Sequence, residues 1–372
     1  MQHKEPNIKI LISGGGTGGH VFPAIAIAEA LKAKLQNAEF LFVGAKGRME
    51  MEKVPAAGYK IEALPIAGFQ RRLTMKNVSF FFKLIISLRK ARKIIRNFQP
   101  DVVIGVGGYA SGPVLRVASK RKIPTLIQEQ NSFPGITNRI LARSVDRICV
   151  AYDNMDRFFP KEKIYVTGNP VRQNVVEMKA GREDAAQYFG LNPDRKIVLA
   201  MGGSLGARSV NQGIHNALEQ FQENEVQIIW QTGKHYIEQA QEAVNKGLTR
   251  LIHVTDFISR MDLAYAAADL IVSRAGAIAI SEIQAVGKPA VFVPSPNVAE
   301  NHQYKNAMAL VNYHAAKLVE DKNAPENLGK EIITLINDEK ELRKLNDNIA
   351  KLAKTGAANT IAGVVIDMIK KK

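Results

Sequence analysis

Short runs of β-branched and aliphatic residues alternate with longer helical stretches along the chain. This alternation is typical of parallel α/β sheets, whose apolar strands are covered by helices on both faces. Ten strands are predicted, five in each half of the chain. They are Ile8–Ser13, Phe40–Val43, Val102–Val106, Thr125–Gln128, Arg147–Val150, Val198–Met201, Val226–Gln231, Leu251–Val254, Leu270–Ser273 and Ala290–Val293.

Both halves open with a strand that runs into a glycine-rich loop and then a helix. Residues 10–31 are ILISGGGTGGHVFPAIAIAEAL, and residues 197–214 are IVLAMGGSLGARSVNQGI. Residues 167–172 between the halves have the Gly and Pro content of a linker. We therefore predict two doubly wound α/β domains, the first over 1–168 and the second from 169 onward. Ligands of such sheets bind at the carboxyl ends of the strands, so a site in a cleft between the domains is expected.

The composition indicates a globular protein with an uneven charge. The 372 residues are 46% hydrophobic and 23% charged, which excludes disorder and a polytopic membrane protein. A single cysteine, Cys149, and the lack of a secretory signal favour the cytoplasm.

The net charge of +16 arises in residues 1–172, which hold 28 Lys and Arg against 12 Asp and Glu. Such a basic half attracts nucleic acid, anionic lipid or phosphorylated substrates.

The first glycine loop, Gly14–His20, precedes a helix, so its N–H groups and the helix dipole can meet an anion or a developing negative charge. It also satisfies G-x-G-x-x-G, the fingerprint of dinucleotide-binding domains. The second predicted strand, however, is followed by Gly44-Ala45-Lys46 and lacks the acidic residue that a dinucleotide ribose needs. A tight turn that allows close packing explains some of the glycines but neither Thr17 nor His20.

The second glycine loop, Gly202–Gly206, satisfies G-x-S-x-G, the nucleophile elbow of α/β-hydrolases. Asp256 and His302 follow in the order that a hydrolase triad requires. The loop nevertheless occupies the same place in its half as the first loop, which favours binding. The Ser204 hydroxyl and neighbouring N–H groups suit a phosphate, and a serine hydrolase is the less favoured alternative.

A third loop, residues 273–282, ends a strand and begins a helix with small residues. A diphosphate can approach such a helix N-terminus closely. Glu282, nearly two turns into the helix, could accept hydrogen bonds from ribose hydroxyls, although an ordinary surface glutamate fits the pattern as well. Residues 294–303 add polar groups at the same sheet edge.

Eight segments resemble, in order and over about the whole chain, the lipid I N-acetylglucosaminyltransferases of glycosyltransferase family 28. They are GGGTGGHVFPAIAIA (14–28), GVGGYASGP (105–113), EQNSFPGITNRILA (129–142), TGNPVR (167–172), MGGSLGAR (201–208), VTDFISRM (254–261), SRAGAIAISEI (273–283) and ENHQYKNA (300–307). The resemblance implies a GT-B fold of two Rossmann-like domains separated by a cleft. It also implies inverting transfer of GlcNAc from UDP-GlcNAc to the MurNAc 4-hydroxyl of undecaprenyl-pyrophosphoryl-MurNAc-pentapeptide (lipid I), giving lipid II for peptidoglycan.

The resemblance further implies roles for individual residues. Thr17, Gly18 and Gly19 would lie near donor and acceptor, with His20 as the general base. The other implied UDP-GlcNAc contacts are Asn131 (sugar), Arg172 and Ser204 (nucleotide), Ile258 (uracil, through its backbone), Ala277, Ile278 and Ala279 (diphosphate), Glu282 (ribose) and Gln303 (GlcNAc hydroxyls). Gly107, Gly108 and Tyr109 fall on the acceptor side. His302 stands where some relatives have a glutamine. Residues 169–345 would bind UDP-GlcNAc, 1–168 would bind the acceptor and the membrane, and a helix over about 346–372 would pack back on the first domain.

The chemistry of this transfer suits the candidate residues. Imidazole titrates near neutrality, so His20 can take the proton of the acceptor hydroxyl, although a capping or packing role fits the residue equally well. Helix N-termini and the Ser204 loop can stabilise the negative charge that leaves on UDP. The sequence has no D-x-D motif. We therefore expect no bound metal and no cofactor.

Residues 80–98 predict a helix that lies on a membrane. A periodicity of 3.6 places Phe81, Leu84, Ile85, Leu88, Ala91 and Ile95 on one stripe, which is expected to be core. The opposite side carries Lys83, Arg89, Lys90, Lys93 and Arg96, with Phe82 and Ile86 among them. Apolar residues within a basic face favour anionic lipid over a merely solvated face, and Lys83 interrupts the run that spanning would need.

The predicted location is therefore peripheral, on the cytoplasmic face of the inner membrane. The expected partners are UDP-GlcNAc, lipid I and the anionic inner leaflet, and other cell-wall synthesis proteins are candidate partners. Nucleic acid is the main alternative for the basic half, but it predicts stacking aromatics among the basic residues and a known binding module. Neither is found, so no nucleic-acid partner is expected.

Overall fold

A computed structural model describes residues 7–66, 75–171, 173–177, 180–203, 205–247 and 250–370. The chain divides into two compact units. Unit 1 is Met1–Arg172 with Gly356–Lys372, and unit 2 is Gln173–Thr355. The boundaries expected from the sequence, at residues 168 and 345, both fall earlier than these.

Unit 1 contains a seven-stranded parallel sheet in the order β3-β2-β1-β4-β5-β6-β7. Its strands are β1 (Lys9–Ser13), β2 (Glu39–Ala45), β3 (Lys60–Leu64), β4 (Val102–Gly105), β5 (Thr125–Glu129), β6 (Arg147–Val150) and β7 (Ile164–Val166). Its first helices are α1 (Gly18–Lys34), α2 (Glu50–Ala56), α3 (Met75–Phe98), α4 (Ser111–Lys120) and α5 (Ile136–Leu141), with 3-10 turns at Met155–Arg157 and Lys161–Lys163. The central strand β1 places Leu11 beside Leu41 of β2 and Val103 of β4.

Unit 2 contains a six-stranded parallel sheet in the order β10-β9-β8-β11-β12-β13. Its strands are β8 (Ile197–Met201), β9 (Gln227–Gln231), β10 (Ile252–Thr255), β11 (Leu270–Ser273), β12 (Ala290–Phe292) and β13 (Lys317–Leu318). Its helices are α6 (Gln173–Val176), α7 (Arg182–Tyr188), α8 (Arg208–Asn216), α9 (Leu218–Glu223), α10 (Ile237–Val244), α11 (Met261–Ala267), α12 (Ala277–Val286), α13 (His302–Val311), α14 (Ala324–Ile336) and α15 (Glu339–Lys351), with 3-10 turns at Ala299–Asn301 and Asp321–Asn323. All ten predicted strands are present, and β3, β7 and β13 are additional.

The end of the chain differs from the single helix expected over about 346–372. Helix α15 belongs to unit 2, and only α16 (Ala357–Lys370) belongs to unit 1. Gly356, with a φ of +81°, interrupts the helical path between them. Helix α16 packs on α1 and buries Ile361 and Val365 completely.

Both sheets bury both of their faces. In β1, Ile10 and Ile12 pack in one apolar layer and Leu11 packs in the other. In β8, Leu199 packs in one apolar layer and Val198 packs in the other. This double burial explains why the central strands are unbroken apolar runs.

Helix α3 buries Ala91 and Ile95, with Leu84 and Leu88 packed against the same layer. Ile85, expected in the core, is instead 48% exposed. It lies about 90° around the helix from the centre of the buried stripe, too far for the layer to cover it. The side chain of Phe81 lies outside the described residues. Across the part of the chain that the structure describes, no helix has both the length and the apolarity to cross a bilayer.

Candidate active site

The first glycine loop, between β1 and α1, is held by a buried carboxylate. Glu50 Oε2 accepts a hydrogen bond from the Gly16 N–H at 2.8 Å, and Glu50 Oε1 accepts one from the Ala45 N–H at 2.8 Å. A Cβ on Gly15, where φ is +148°, would lie 2.1 Å from Glu50 Oε1. Glu50, which is 34 residues from Gly16 along the chain, was not among the residues predicted from the sequence. The Glu50 carboxylate lies beside the loop and already accepts from the Gly16 N–H. This part of the loop therefore does not suit the bound anion that the sequence analysis left possible.

His20 lies in the first turn of α1 and contacts a further glycine loop that follows β4. Its Nδ1 is 3.2 Å from the Thr17 hydroxyl. A Cβ on Gly107 would lie 2.9 Å from His20 Nε2, and a Cβ on Gly108 would lie 2.3 Å from the Gly15 carbonyl oxygen. Both Gly107 and Gly108 have positive φ. Residues with implied donor and acceptor roles therefore meet at the carboxyl ends of neighbouring strands.

Glu129, at the end of β5, organises the loop that carries Asn131. Its Oε1 accepts from the backbone and side-chain N–H groups of Asn131, at 3.0 and 3.1 Å. Its Oε2 accepts from Gly135 N–H at 3.1 Å and from the Asn138 amide at 2.8 Å. Burial raises the pKa of Glu129, and these hydrogen bonds partly oppose the rise. Asn131 is therefore held in one orientation by a side chain that was not predicted.

A chain of buried amides joins the β4 and β5 loops to residues 167–170. Gln130 Nε2 donates to the Val106 carbonyl at 2.7 Å, beside Gly107. Gln128 Nε2 donates to Asn169 Oδ1 at 3.0 Å, and Asn169 Nδ2 donates to the Gln130 carbonyl at 3.0 Å. Fully satisfied networks of this kind fix one arrangement of the loops they join.

In unit 2, Gln231 links the second glycine loop to Ile258. Gln231, at the carboxyl end of β9, is buried, and its Nε2 donates to the Gly203 carbonyl at 2.8 Å. Its Oε1 accepts from the Ile258 N–H at 3.3 Å. A Cβ on Gly206 would lie 2.0 Å from the Thr232 carbonyl oxygen, so the loop packs directly on the β9 loop. A polar residue at the end of an apolar strand was the only sequence signal for Gln231.

Helix α12 begins after β11 with Gly276 in an extended conformation at its N-cap. Ala277 and Ile278 are buried, and Ala279 is partly buried. Glu282 is also buried, and its Oε2 accepts from the Tyr265 hydroxyl at 3.1 Å. It is therefore not the ordinary surface glutamate that the pattern allowed.

Gln303 and His302 open α13. Gln303 Oε1 accepts from the Ser295 N–H at 2.8 Å, and His302 is partly buried. The preceding residues, Glu300 and Asn301, have φ of +57° and +53°. Left-handed conformations cost non-glycine residues about 1–2 kcal/mol each and concentrate at functional loops.

The remaining predicted residues are distributed as follows. Arg172 and Ser204 lie outside the described residues. Gly18 and Gly19 begin α1, and Tyr109, 48% exposed, follows Gly108. Phe82, Ile86, Arg89 and Lys93 are all exposed on α3. Among the residues that the structure describes, no group of three His, Cys, Asp or Glu is arranged to hold a metal ion.

Two doubly wound parallel sheets, each with a glycine loop after an inner strand, are the architecture of the GT-B class of glycosyltransferases. Residues 10–150 match the family profile described as Glycosyltransferase family 28 N-terminal domain. Residues 197–361 match the Glycosyltransferase family 28 C-terminal domain. The chain belongs to glycosyltransferase family 28.

Similar proteins extend over nearly the full chain. The UDP-N-acetylglucosamine--N-acetylmuramyl-(pentapeptide) pyrophosphoryl-undecaprenol N-acetylglucosamine transferase of Phocaeicola vulgatus is 54% identical over 368 residues, 99% of this chain and 98% of the relative. The protein of that name from Parabacteroides distasonis is 51% identical over 364 residues, 98% of this chain and 99% of the relative. The crystal structure of Acinetobacter baumannii MurG has 30% identity and a TM-score of 0.77, covering 97% of this chain and 99% of that one.

Gln231→Ala should weaken the affinity for UDP, the nucleotide that the sequence resemblance implies. Two hydrogen bonds of about 0.5–1.5 kcal/mol each hold the glycine loop against Ile258, so a loss of about tenfold is expected. Gln227→Ala is the matched control, because this buried residue at the other end of β9 also makes two side-chain hydrogen bonds, to Asn192. Titration calorimetry should show unchanged affinity in the control. Equal losses in both variants would contradict a positioning role for Gln231.

Glu50→Gln should lower the rate constant of sugar transfer about tenfold or more, since a carboxamide can accept from only one of the two N–H donors and turns its own N–H groups toward the other. The affinity for UDP should not change. Glu52→Gln, on the exposed side of α2, is the control. A variant with lower thermal stability but full kcat would show that Glu50 has only a structural role.

Proposed function

We propose that this protein transfers GlcNAc from UDP-GlcNAc to the 4-hydroxyl of MurNAc in lipid I, with inversion at the anomeric carbon, and so produces lipid II for peptidoglycan. The observation that carries the proposal is 54% identity over 99% of the chain to a transferase named for these substrates. The site chemistry supports it, because the candidate residues that the structure describes follow the carboxyl ends of strands in the two sheets.

The donor is assigned to unit 2. The second glycine loop and the N-terminus of α12 offer backbone N–H groups for a diphosphate. Glu282, whose Oε2 accepts from the Tyr265 hydroxyl, is assigned to the ribose hydroxyls, and the Gln303 amide of α13 is assigned to the sugar. The backbone of Ile258, which Gln231 holds through the Ile258 N–H, is assigned to uracil.

His20 is assigned as the general base. In the tautomer whose Nδ1–H donates to the Thr17 hydroxyl, Nε2 is the basic ring nitrogen, and it is assigned to take the proton of the acceptor 4-hydroxyl. The oxygen then bonds to C1 of GlcNAc while the bond from C1 to the β-phosphate oxygen breaks. The electron pair leaves on UDP, whose charge the loop N–H groups stabilise.

Association with the membrane is assigned to α3. Phe82 and Ile86 are 66% and 51% exposed, and the neighbouring Ile85 enlarges the apolar surface beyond the two residues expected from the sequence. Arg89 and Lys93 lie on the same side of the helix. An acceptor with a polyprenyl chain remains in the bilayer, so a peripheral contact of the enzyme with the cytoplasmic leaflet gives access to it.

The function is tested by transfer of labelled GlcNAc from UDP-GlcNAc to a lipid I analogue, with EDTA present and UDP-glucose as a competing donor. His20→Ala should reduce kcat by about 10²–10⁴ and preserve UDP-GlcNAc binding, because general-base catalysis contributes on that scale. His314→Asn, at an exposed position in unit 2, is the control. Absence of transfer by the unaltered protein would contradict the proposed function, and full activity of His20→Ala would remove His20 as the base.

Phe82→Glu with Ile86→Glu should weaken binding to anionic vesicles and leave UDP binding unchanged, because the charges oppose both apolar insertion and attraction to the lipid. Cosedimentation with vesicles measures the effect. Ala33→Glu with Gln36→Glu makes the same charge change at exposed positions in and just after α1. Vesicle binding that falls equally in both double variants would contradict a specific contact by α3.

A further inference from the structure

The strands of unit 2 reverse their order at one place, between β8 and β11. Strands β9 and β10 continue the sheet on the β8 side, and β12 and β13 continue it on the β11 side. Met201 at the end of β8 pairs with Ser273 at the end of β11. Ligands of doubly wound sheets bind in the crevice between the loops that follow two such strands. In unit 2 these loops are the second glycine loop and the residues that lead into α12.

Arg274, the first residue after β11, bonds to segments on both sides of this crevice. Its Nη2 donates to the Ser209 hydroxyl, in the first turn of α8, at 3.1 Å. Its Nη1 donates to the Val293 carbonyl oxygen at 3.0 Å and also to Asp321 Oδ1. The Ser209 hydroxyl donates to the same oxygen of Asp321. One ion pair therefore joins the segments that follow β8, β11, β12 and β13.

The Arg274–Asp321 ion pair is partly buried, since the two side chains are 16% and 26% exposed. Arginine is a frequent phosphate ligand, and Arg274 lies two residues before Gly276, the N-cap of α12. Its guanidinium is nevertheless bonded to a carboxylate, a hydroxyl and a carbonyl. Moving Arg274 onto a diphosphate would leave the Asp321 carboxylate without its counter-charge, which is unfavourable at a partly buried position.

The joined segments carry the backbone groups assigned to the donor diphosphate. Helix α8 begins just after the second glycine loop, and α12 begins three residues after Arg274. Among the described residues, no atom lies within 4 Å of a Cβ built on Gly203 or on Gly276, so a ligand can approach both backbones closely. Backbone N–H groups stabilise a diphosphate only when they are held at the positions of its oxygens. The bonds of Arg274 to Ser209 and Asp321 fix the spacing between the two segments.

We propose that Arg274 and Asp321 are positioning residues that hold the N-termini of α8 and α12 at the spacing that the donor diphosphate requires. The inference rests on the proposed function and deepens it, because it separates recognition of the diphosphate from recognition of the nucleoside. The groups assigned to uracil and ribose are held by other side chains, Gln231 and Tyr265.

Asp321→Asn tests the pair, because it removes the counter-charge of Arg274 and keeps the size of the side chain. The affinity for UDP should fall at least about tenfold, since hydrogen bonds between charged groups are among the strongest in proteins. The affinity for uridine should change by less than about twofold, because its assigned contacts are held independently. Titration calorimetry measures UDP binding, and ligand-observed NMR measures the weaker binding of uridine.

Asp269→Asn is the matched control, because Asp269 forms a comparable ion pair at the opposite end of the same two strands. Its side chain is 23% exposed, and Arg182 Nη2 lies 2.8 Å from Asp269 Oδ2. The same oxygen accepts from the N–H of Ile197, which begins β8, at 2.8 Å. The control should lose thermal stability and keep its affinity for UDP. Equal losses of UDP affinity in the two variants, or equal losses for UDP and uridine in Asp321→Asn, would overturn the inference in favour of a general structural role.

Arg274→Lys is a second test, because lysine keeps the charge but lacks the planar fork that bonds several partners at once. Its affinity for UDP should fall as in Asp321→Asn, and full affinity would overturn the positioning role. Tighter UDP binding by Asp321→Asn would show that Arg274, once released, is itself a phosphate ligand, and this would also overturn the inference. Failure of the unaltered protein to bind UDP would do the same, whereas UDP binding without transfer of GlcNAc would reject only the proposed reaction.

Discussion

Loops at the carboxyl end of a parallel sheet have no neighbouring strand to pair with their backbone N–H and C=O groups, and buried groups of this kind must find other partners. Here three buried side chains supply them. Glu50 bonds the β1 and β2 loops, Glu129 bonds the β5 loop, and Gln231 bonds the loops after β8 and β10. The candidate site depends on these bonds, because they hold the loop that leads into His20 and the loops that carry Asn131 and Ile258.

The need to bond these loop groups to a buried side chain also accounts for the different ligands assigned to the two similar units. The loop of unit 1 is held by a carboxylate, which disfavours a phosphate and suits the neutral hydroxyl that His20 is proposed to deprotonate. The loop of unit 2 is held by the neutral amide of Gln231, so its remaining N–H groups, with the N-terminus of α12, keep their attraction for a diphosphate. The charge of one buried side chain in each loop therefore accounts for the different ligands proposed for the two units.

The sequence was informative where structure is set locally. The ten predicted strands are buried or contain strong apolar runs. The glycine loops could be recognised in the sequence because positive φ and close backbone contact require glycine. The missed strands β3, β7 and β13 all lie at sheet edges, where a strand such as Lys60–Leu64 needs few buried residues. Glu50 was missed because its partner in the first glycine loop, Gly16, is 34 residues away. Gln231 was missed because its partners are 28 and 27 residues away, and only the fold brings them together.

A peripheral enzyme with a lipid-linked acceptor must be oriented as well as attracted. The proposed insertion of Phe82, Ile85 and Ile86 would stabilise contact with the bilayer, but apolar insertion has no directional preference around its own axis. Diffuse charge has little more, because its field varies slowly over a Debye length. The orientation of the proposed contact must therefore come from the attachment of α3 to unit 1, whose apolar core packs against one side of the helix at Leu84, Leu88, Ala91 and Ile95.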